Sequence, residues 1–443
     1  VASDPVVLGI DQGSSGARAA VMNAAGDVLG TGRVACTGLR RTTHGSEHDP
    51  RAWLDESFGA ARAALAASGR ESVDAIGIGA LGPAPVVLDD DLEPLVPAPL
   101  FPLAPVPEWV RGLPEDVVDR AAWVVDVTGF LVSALTGRPV IDRVTAADHV
   151  VDGAPAVVPV PEPIGPLDVV GGLGKEAAGL LGLPPDVPVV AGTYDTFVDL
   201  AGVGVGRVGD GAIVLGSTAI VGVVRDEPDA PEGLRASPHV GPGWFVGGWT
   251  SAAGRALEWA ASLAPAGERE RIVAEAGAMS QGSAGVLGLP SLDGERAPVW
   301  DPAARGALIG LTTGTTLAGI YRGMLDGVVL STADLVERLG AAGGDVPWVA
   351  TGGGVRDAAW LQATADALGR SLAVVDLPDA GGPARLALQA IGHAAPPAVR
   401  RIVHPDARAT ARWRELADVY RGLHDDLADR MHRLGSLAEG SAP

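Results

Sequence analysis

A chain of 443 residues is long enough for two or three domains of roughly 100–200 residues each. With 33 Lys+Arg against 54 Asp+Glu the formal net charge is −21, which argues against a nucleic-acid surface built on concentrated basic charge and against attachment to anionic membranes. A single cysteine, Cys36, excludes an internal disulfide framework and any Cys-clustered zinc or iron–sulfur site, and it is read as a small core residue. An apolar fraction of 47% supplies a large core, and 62 Gly with 35 Pro imply many tight turns. No apolar run is long enough to span a bilayer and no basic, then apolar, leader opens the chain, so the expectation is a soluble cytoplasmic enzyme.

In chain order, Val6–Ile10 reads as a buried strand ending at Asp11, followed by the turn Gln12-Gly13-Ser14-Ser15-Gly16 and a second apolar run through Met22. A turn at Asn23–Asp27 leads into a third run at Val28, so the opening is a strand meander. That order separates it from the dinucleotide fingerprint and the Walker loop, both of which place a helix directly after the Gly-rich turn. Asp49-Pro50 starts a helix over Arg51–Ala67, and Val73–Ile78 returns to a strand. The Pro-rich stretch Pro94–Pro107 reads as a loop, and Asp116–Leu135 as one helix. A strand over Val187–Gly192 runs into Thr193-Tyr194-Asp195-Thr196.

After Gly209-Asp210 the opening theme returns: strand Gly211–Leu215, small-residue turn Gly216-Ser217-Thr218, strand Ala219–Val224. The repetition suggests two similar halves with facing phosphate loops, or the chance likeness of two hairpins. The domain boundary is placed near Gly206, giving 1–206 and 207–443. Helices are expected at Gly254–Ala264, Leu317–Leu339 and Ala358–Leu368, and a strand Trp348–Ala350 before Thr351-Gly352-Gly353-Gly354. Ala409–Leu434 reads as one long amphipathic helix with Trp413, Leu416, Tyr420 and Leu423 on one face, packed on the back of its domain.

Several of these residues suit phosphoryl transfer, which needs positioning, charge neutralisation and a base for the attacking hydroxyl. Asp11, at a strand end beside a Gly/Ser turn, can hold Mg²⁺ or simply cap the turn. Amides of Gly13, Ser14 and Ser15 can cradle a phosphate, with Arg18 reaching across it, and the same holds for Gly216, Ser217 and Thr218. Gly352, Gly353 and Gly354 let a flat group such as adenine or ribose lie on the main chain. Asp195 follows a wholly apolar strand, where partial burial raises a carboxyl; it is a general-base candidate, or an N-cap. Phe245 and Trp249 near Gly247-Gly248 can face a ligand. The eight histidines form no H-E-x-x-H pattern, and no G-x-S-x-G elbow occurs.

Taken together, Ile10-Asp11-Gln12-Gly13-Ser14-Ser15-Gly16-Ala17-Arg18 resembles the first phosphate loop of the FGGY carbohydrate kinases. Glu47-His48-Asp49-Pro50-Arg51-Ala52-Trp53 resembles the family's E-Q-D-P-x-x-W segment, and Leu135-Thr136-Gly137 with Asp142 its L-T-G and following Asp. Gly192-Thr193-Tyr194-Asp195-Thr196 is similar to its base motif, and Gly216-Ser217-Thr218 to its second phosphate loop. The most specific stretch, Leu289–Pro298 continuing to Gly306 and Thr312, is similar to the C-terminal signature; Gly352–Arg356 and Trp360–Gln362 follow as the adenosine-side loop and helix. The resemblance implies an α/β fold of two ribonuclease H-like (actin-like ATPase) domains with ATP in an interdomain cleft, Mg²⁺ organised by Asp11, and Asp195 taking the proton from a hydroxyl acceptor. Family members are often dimers, so a homodimer is possible.

Departures from the pattern concern the acceptor. Leu81-Gly82-Pro83 stands where the family often carries Q-M-H, and Phe101–Pro105 where it carries W-x-D-x-R, so two segments that usually bond sugar hydroxyls are apolar. The region between Pro105 and Asp195 also looks shorter than in typical members. Three explanations follow: a kinase for a less hydroxylated compound; a sugar or polyol kinase that recognises its substrate from His44, Glu47, His48, Tyr194 and Trp249 around Gly82 and Pro83; or an ATP-binding sensor or regulator without kinase activity. The acidic surface makes a neutral acceptor the natural expectation.

Overall fold

Alternating apolar stretches and Gly-bearing turns build two α/β units. The computed structural model describes residues 4–42, 45–100, 105–149, 157–341, 346–393 and 397–439. His44 and Phe101–Ala104 therefore lie outside the described residues. Unit 1 comprises Val1–Gly206, Pro238–Pro242 and Leu377–Pro397, and unit 2 comprises Arg207–Ser237, Gly243–Asp376 and Ala398–Pro443. Two segments from the second half of the sequence thus belong to unit 1, which a linear division at Gly206 does not provide for.

In unit 1, β1 (Val6–Gly13), β2 (Gly16–Asn23) and β3 (Val28–Ala35) form an antiparallel meander. Helix α1 (Pro50–Ser68), N-capped by Asp49, leads to β4 (Ala75–Ala80), which pairs parallel to β1. Helix α2 (Val127–Thr136) precedes β5 (Pro188–Val190) and the two-residue β6 (Thr193–Tyr194), both parallel to β4, and α3 (Asp195–Gly202) follows at once. Strand Val169–Gly172 closes one edge, giving the order Val169–Gly172, β5, β4, β1, β2, β3. A meander joined through its first strand to parallel strands is the ribonuclease H-type arrangement. Leu8, Ile10, Ile76 and Ile78 form the sheet core with Trp53, Phe130 and Leu131.

The helix Gly381–Ala390 covers the other face of this sheet, and two glycines let it approach. A Cβ on Gly9 would lie 2.4 Å from the Ala384 nitrogen, and one on Gly77 would lie 2.1 Å from the Pro383 carbonyl oxygen.

Unit 2 repeats the plan. Strands β7 (Gly211–Leu215), β8 (Ala219–Arg225) and β9 (Trp244–Trp249) form the meander. Helix α4 (Leu317–Arg338) precedes β10 (Trp348–Thr351), parallel to β7; α5 (Ala358–Leu368) precedes β11 (Leu372–Val374), parallel to β10. Val328, Val329, Leu361 and Trp360 pack with β7 and β8 in its core.

Two expected helices are divided in the structure. Asp116–Leu135 is a short helix Glu115–Val118, a strand Trp123–Asp126 and then α2. The β-branched Val124 and Val125 pair with Val87 and Val86, and Asp126 turns the chain by accepting the Val127 amide at 2.8 Å. The C-terminal helix is α6 (Ala407–Tyr420) and α7 (Leu423–Glu439), broken where Arg421 is extended and Gly422 has φ 77°. Trp413, Leu416, Tyr420 and Leu423 all pack on the unit 2 core. Within Pro94–Pro107 the described residues include a short strand, Ala98–Leu100.

Candidate active site

The C-terminal ends of the parallel strands collect the chemistry in each unit. In unit 1 the register places Asp11 beside Gly79 on one side of β4 and Thr193 beside Gly79 on the other. Asp195, two residues beyond Thr193, begins α3, close enough to Asp11 for the two charges to interact. Arg18, opposite Asp11 in the β1–β2 ladder, donates to its carboxylate at 3.1 Å. The two-residue hairpin turn exposes Ser14 and Ser15, with Gly13 and Gly16 closing it. Gly16 is required there, having φ 123° and only backbone where a Cβ would go.

The electrostatics follow from crowding of like charge. Burial, then the neighbouring Asp11 carboxylate, pushes Asp195 up to about 7, against hydrogen bonds from the Thr196 amide at 2.6 Å and the Thr196 hydroxyl. Burial raises Asp11 too, while Arg18 opposes the rise. Asp199, one turn along α3, is raised well above the ordinary range by the surrounding protein and by Asp11 and Asp195, although its side chain reaches solvent. It lies at the start of the helix Gly381–Ala390, where a Cβ on Gly382 would be 2.2 Å from its oxygen. Asp199 was not among the residues expected from sequence; its i, i+4 spacing from Asp195 was the available signal. Asp11, Asp195 and Asp199 offer carboxylate oxygens, the hard donors that a divalent cation of the Mg²⁺ type takes, with Arg18 already offsetting part of their charge.

Two expected substrate residues point elsewhere. The His48 ring is 1% exposed, stacked on Trp53 at 4.4 Å, with Nδ1 against the Asp49 carbonyl and Nε2 against Cys36 Sγ. It is a core residue, and a substrate contact would require its displacement. Cys36 itself is half-buried at the end of β3 rather than inside the core. Tyr194 is also buried: its hydroxyl meets Asp148 at 2.9 Å and Asp126 at 3.3 Å, and its ring occupies the space a Cβ on Gly82 would need. A phenol carries one proton, so both contacts are satisfied when Asp126 is protonated, in line with burial raising that carboxyl well above its usual range. Gly82 and Pro83 remain partly exposed, whereas Leu81 is core.

In unit 2 the turn Gly216-Ser217-Thr218 joins β7 to β8, and its carbonyls are held by amides at the start of the helix Gly254–Ser262: Ala253 and Arg255 donate to Ser217, and Gly254 to Gly216. Gly352, with φ 92°, follows β10 and abuts the end of β7, where a Cβ would lie 2.6 Å from the Leu215 carbonyl oxygen. Gly354 gives way to the Trp360 ring. The two Gly-rich segments are therefore neighbours, with Ser217 and Gly353 exposed. Trp249 belongs to this unit, edge-on to Trp300 at 6.0 Å. Phe245 is buried, its ring lying over Gly222, which leaves it in the core. Glu295 of the signature segment accepts from the Ser251 amide and the Ser291 hydroxyl, and Arg296 donates to the Thr250 carbonyl. That segment thus braces the stretch after β9.

Residues 6–118 match the N-terminal domain, and residues 211–390 the C-terminal domain, of the FGGY family of carbohydrate kinases. The chain is 26% identical to a xylulose kinase of Klebsiella pneumoniae, over 96% of this chain and 99% of that protein. It is 25% identical to a gluconokinase of Bacillus subtilis (strain 168), over 60% of this chain and 58% of that protein. In fold it is similar to gluconate kinase from Lactobacillus acidophilus, with a TM-score of 0.88 at 19% identity, covering 98% of this chain and all of the other. None of its described helices is long and apolar enough to cross a membrane. With both halves of the family's pattern present in order on two ribonuclease H-type sheets, the chain belongs to the FGGY family of carbohydrate kinases and is a phosphotransferase acting on a hydroxyl acceptor.

Proposed function

We propose that the protein transfers the γ-phosphate of ATP to a hydroxyl of a small sugar, polyol or related neutral compound, with Asp195 as general base. The observation that carries this reading is the state of Asp195: half-buried, poised at about 7, and next to Asp11 and the serine turn. A carboxyl at that value is basic enough to accept the hydroxyl proton as the oxygen attacks, yet is largely ionised just above neutrality. Arg18 holds Asp11 in place, and the Gly13–Ser15 turn presents backbone amides to an anion. Gly216–Thr218 and Gly352–Gly354 give the matching anion-binding and flat, small-residue surfaces in unit 2. Asp11, with Asp195 and Asp199 nearby, would hold Mg²⁺, which when bound neutralises phosphate charge.

The acceptor is proposed to be less hydroxylated than a pentulose. Support comes from Gly82 and Pro83, which offer no side-chain hydrogen bonds, and from His48 and Tyr194, whose polar atoms are engaged inward. The test is ADP release from Mg-ATP across ketoses, polyols, aldonates, cyclitols and simpler alcohols. Asp195→Asn is expected to lower turnover by about 10²–10⁴-fold while leaving Mg-ATP binding intact. Turnover that survives in the variant removes Asp195 from the role of base. Mg-ATP binding without turnover of any acceptor favours the sensor reading.

A further inference from the structure

Behind the first Gly/Ser turn lies a group of side chains that phosphoryl transfer does not use. Cys36 Sγ, His48 Nε2 and a Glu56 carboxylate oxygen all lie within 4.8 Å of one another. The Sγ to Nε2 separation is 3.3 Å and the Nε2 to Oε1 separation is 3.7 Å. Zinc bonds of about 2.3 Å to sulfur and about 2.0–2.1 Å to nitrogen and oxygen place tetrahedral ligand atoms roughly 3.3–3.6 Å apart. The Sγ–Nε2 and Nε2–Oε1 spacings need only tenths of an ångström of adjustment, and the sulfur and the carboxylate close on the same point from within 4.8 Å.

The surroundings hold these atoms as a metal would require. The Asp49 carbonyl, 2.9 Å from His48 Nδ1, fixes the ring proton on Nδ1 and leaves the Nε2 lone pair facing Cys36 and Glu56. The stack on Trp53 locks the ring plane, and Gly38 provides the room beside it, since a Cβ there would meet the imidazole at 2.6 Å. Glu56, 1% exposed, is oriented by the Thr37 amide at 2.6 Å, the Thr37 hydroxyl at 2.9 Å and the Gln12 side-chain amide at 3.0 Å. Cys36 is half-buried, which leaves an entry path.

We propose that Cys36, His48 and Glu56 form a binding site for a zinc-type divalent ion that braces the Gln12–Gly16 turn. Sulfur, imidazole and carboxylate together select a borderline-soft ion over Mg²⁺. The brace is direct: the Cys36 amide donates to the Ser15 carbonyl at 3.0 Å, and Gln12 links Glu56 to the Gly13 carbonyl.

The proposal is independent of turnover and is tested without it. Full-length protein, stripped with a chelator, is titrated with Zn²⁺ against a competing indicator, and with Co²⁺ followed by absorption. One equivalent of Zn²⁺, a thiolate-to-Co²⁺ charge-transfer band, a raised Tm and slowed hydrogen exchange at the Ser14–Gly16 amides are expected. Cys36→Ser and His48→Gln should each weaken Zn²⁺ binding at least about 10-fold, the low end of what losing even an outer-shell partner costs. His48→Gln installs the residue of the family pattern, so it is expected to fold. Asp11→Asn should leave Zn²⁺ affinity unchanged, separating this site from the carboxylate group. Failure of the wild-type protein to hold Zn²⁺, a Co²⁺ complex lacking the thiolate band, or full affinity in both Cys36→Ser and His48→Gln would overturn the proposal and leave a hydrogen-bonded Cys–His–Glu cluster.

Discussion

Asp195 and Asp11 illustrate how burial and a neighbouring charge together set a carboxyl's chemistry. Burial first, and then the nearby Asp11 carboxylate, raise Asp195 to about 7. With Asp195 as base, kcat/KM is expected to climb with pH as its carboxyl deprotonates, levelling above about 7. The sign is fixed by the role: the ionised form accepts the proton, so activity is lost on the acid side. Removing the Asp11 charge lowers the Asp195 value, so the acid limb of Asp11→Asn should move to lower pH in whatever activity remains. A limb that stays fixed in that variant would show that Asp11 does not set it. Residue by residue, the structure brings Arg18 onto Asp11 and Asp195 near Asp11, residues the sequence singled out because each lies at or near a turn that follows an apolar run. His48 and Tyr194 were not: a polar side chain next to a motif can point either way, and Trp53 and Asp148 decide which.

At the level of elements, helix packing on unit 1 depends on glycine in strands. Gly77→Ala places a methyl against the Pro383 backbone, which cannot move aside as a side-chain end could. It is expected to cost about 1–3 kcal/mol in urea unfolding. Gly179, inside the helix Lys175–Leu181, is the control, because a Cβ there would meet nothing within 4 Å. Gly179→Ala should stabilise by up to about 1 kcal/mol. Equal effects at the two positions would refute the close-approach argument. Strand and helix types in the two meanders followed from periodicity. The divided helices did not, because Trp123–Asp126 takes its strand form from pairing with Pro85–Leu88, and the α6–α7 break from one extended residue before Gly422.

For the whole molecule, the return of Leu377–Pro397 to unit 1 decides what can fold alone. A fragment ending at Gly206 lacks the helix Gly381–Ala390 and leaves the Gly9 and Gly77 face of its sheet uncovered. It is expected to unfold without a cooperative transition, whereas the full chain should show one; a sharp denaturant transition with native near-ultraviolet dichroism in the fragment would contradict this. By itself the sequence determined the duplicated strand–turn–strand plan, the family, and the positions of both Gly-rich turns. Those features are local: apolar runs, glycines and short polar turns act within a few residues of one another. Tertiary structure alone decided that Asp199 joins Asp11 and Asp195, that His48 and Tyr194 turn inward, and that Cys36, His48 and Glu56 converge. The meeting of Asp199 with Asp11 and the contact of Tyr194 with Asp148 depend on elements distant in sequence being brought together, and the convergence of Cys36, His48 and Glu56 on how successive elements pack, which no spacing of residues encodes.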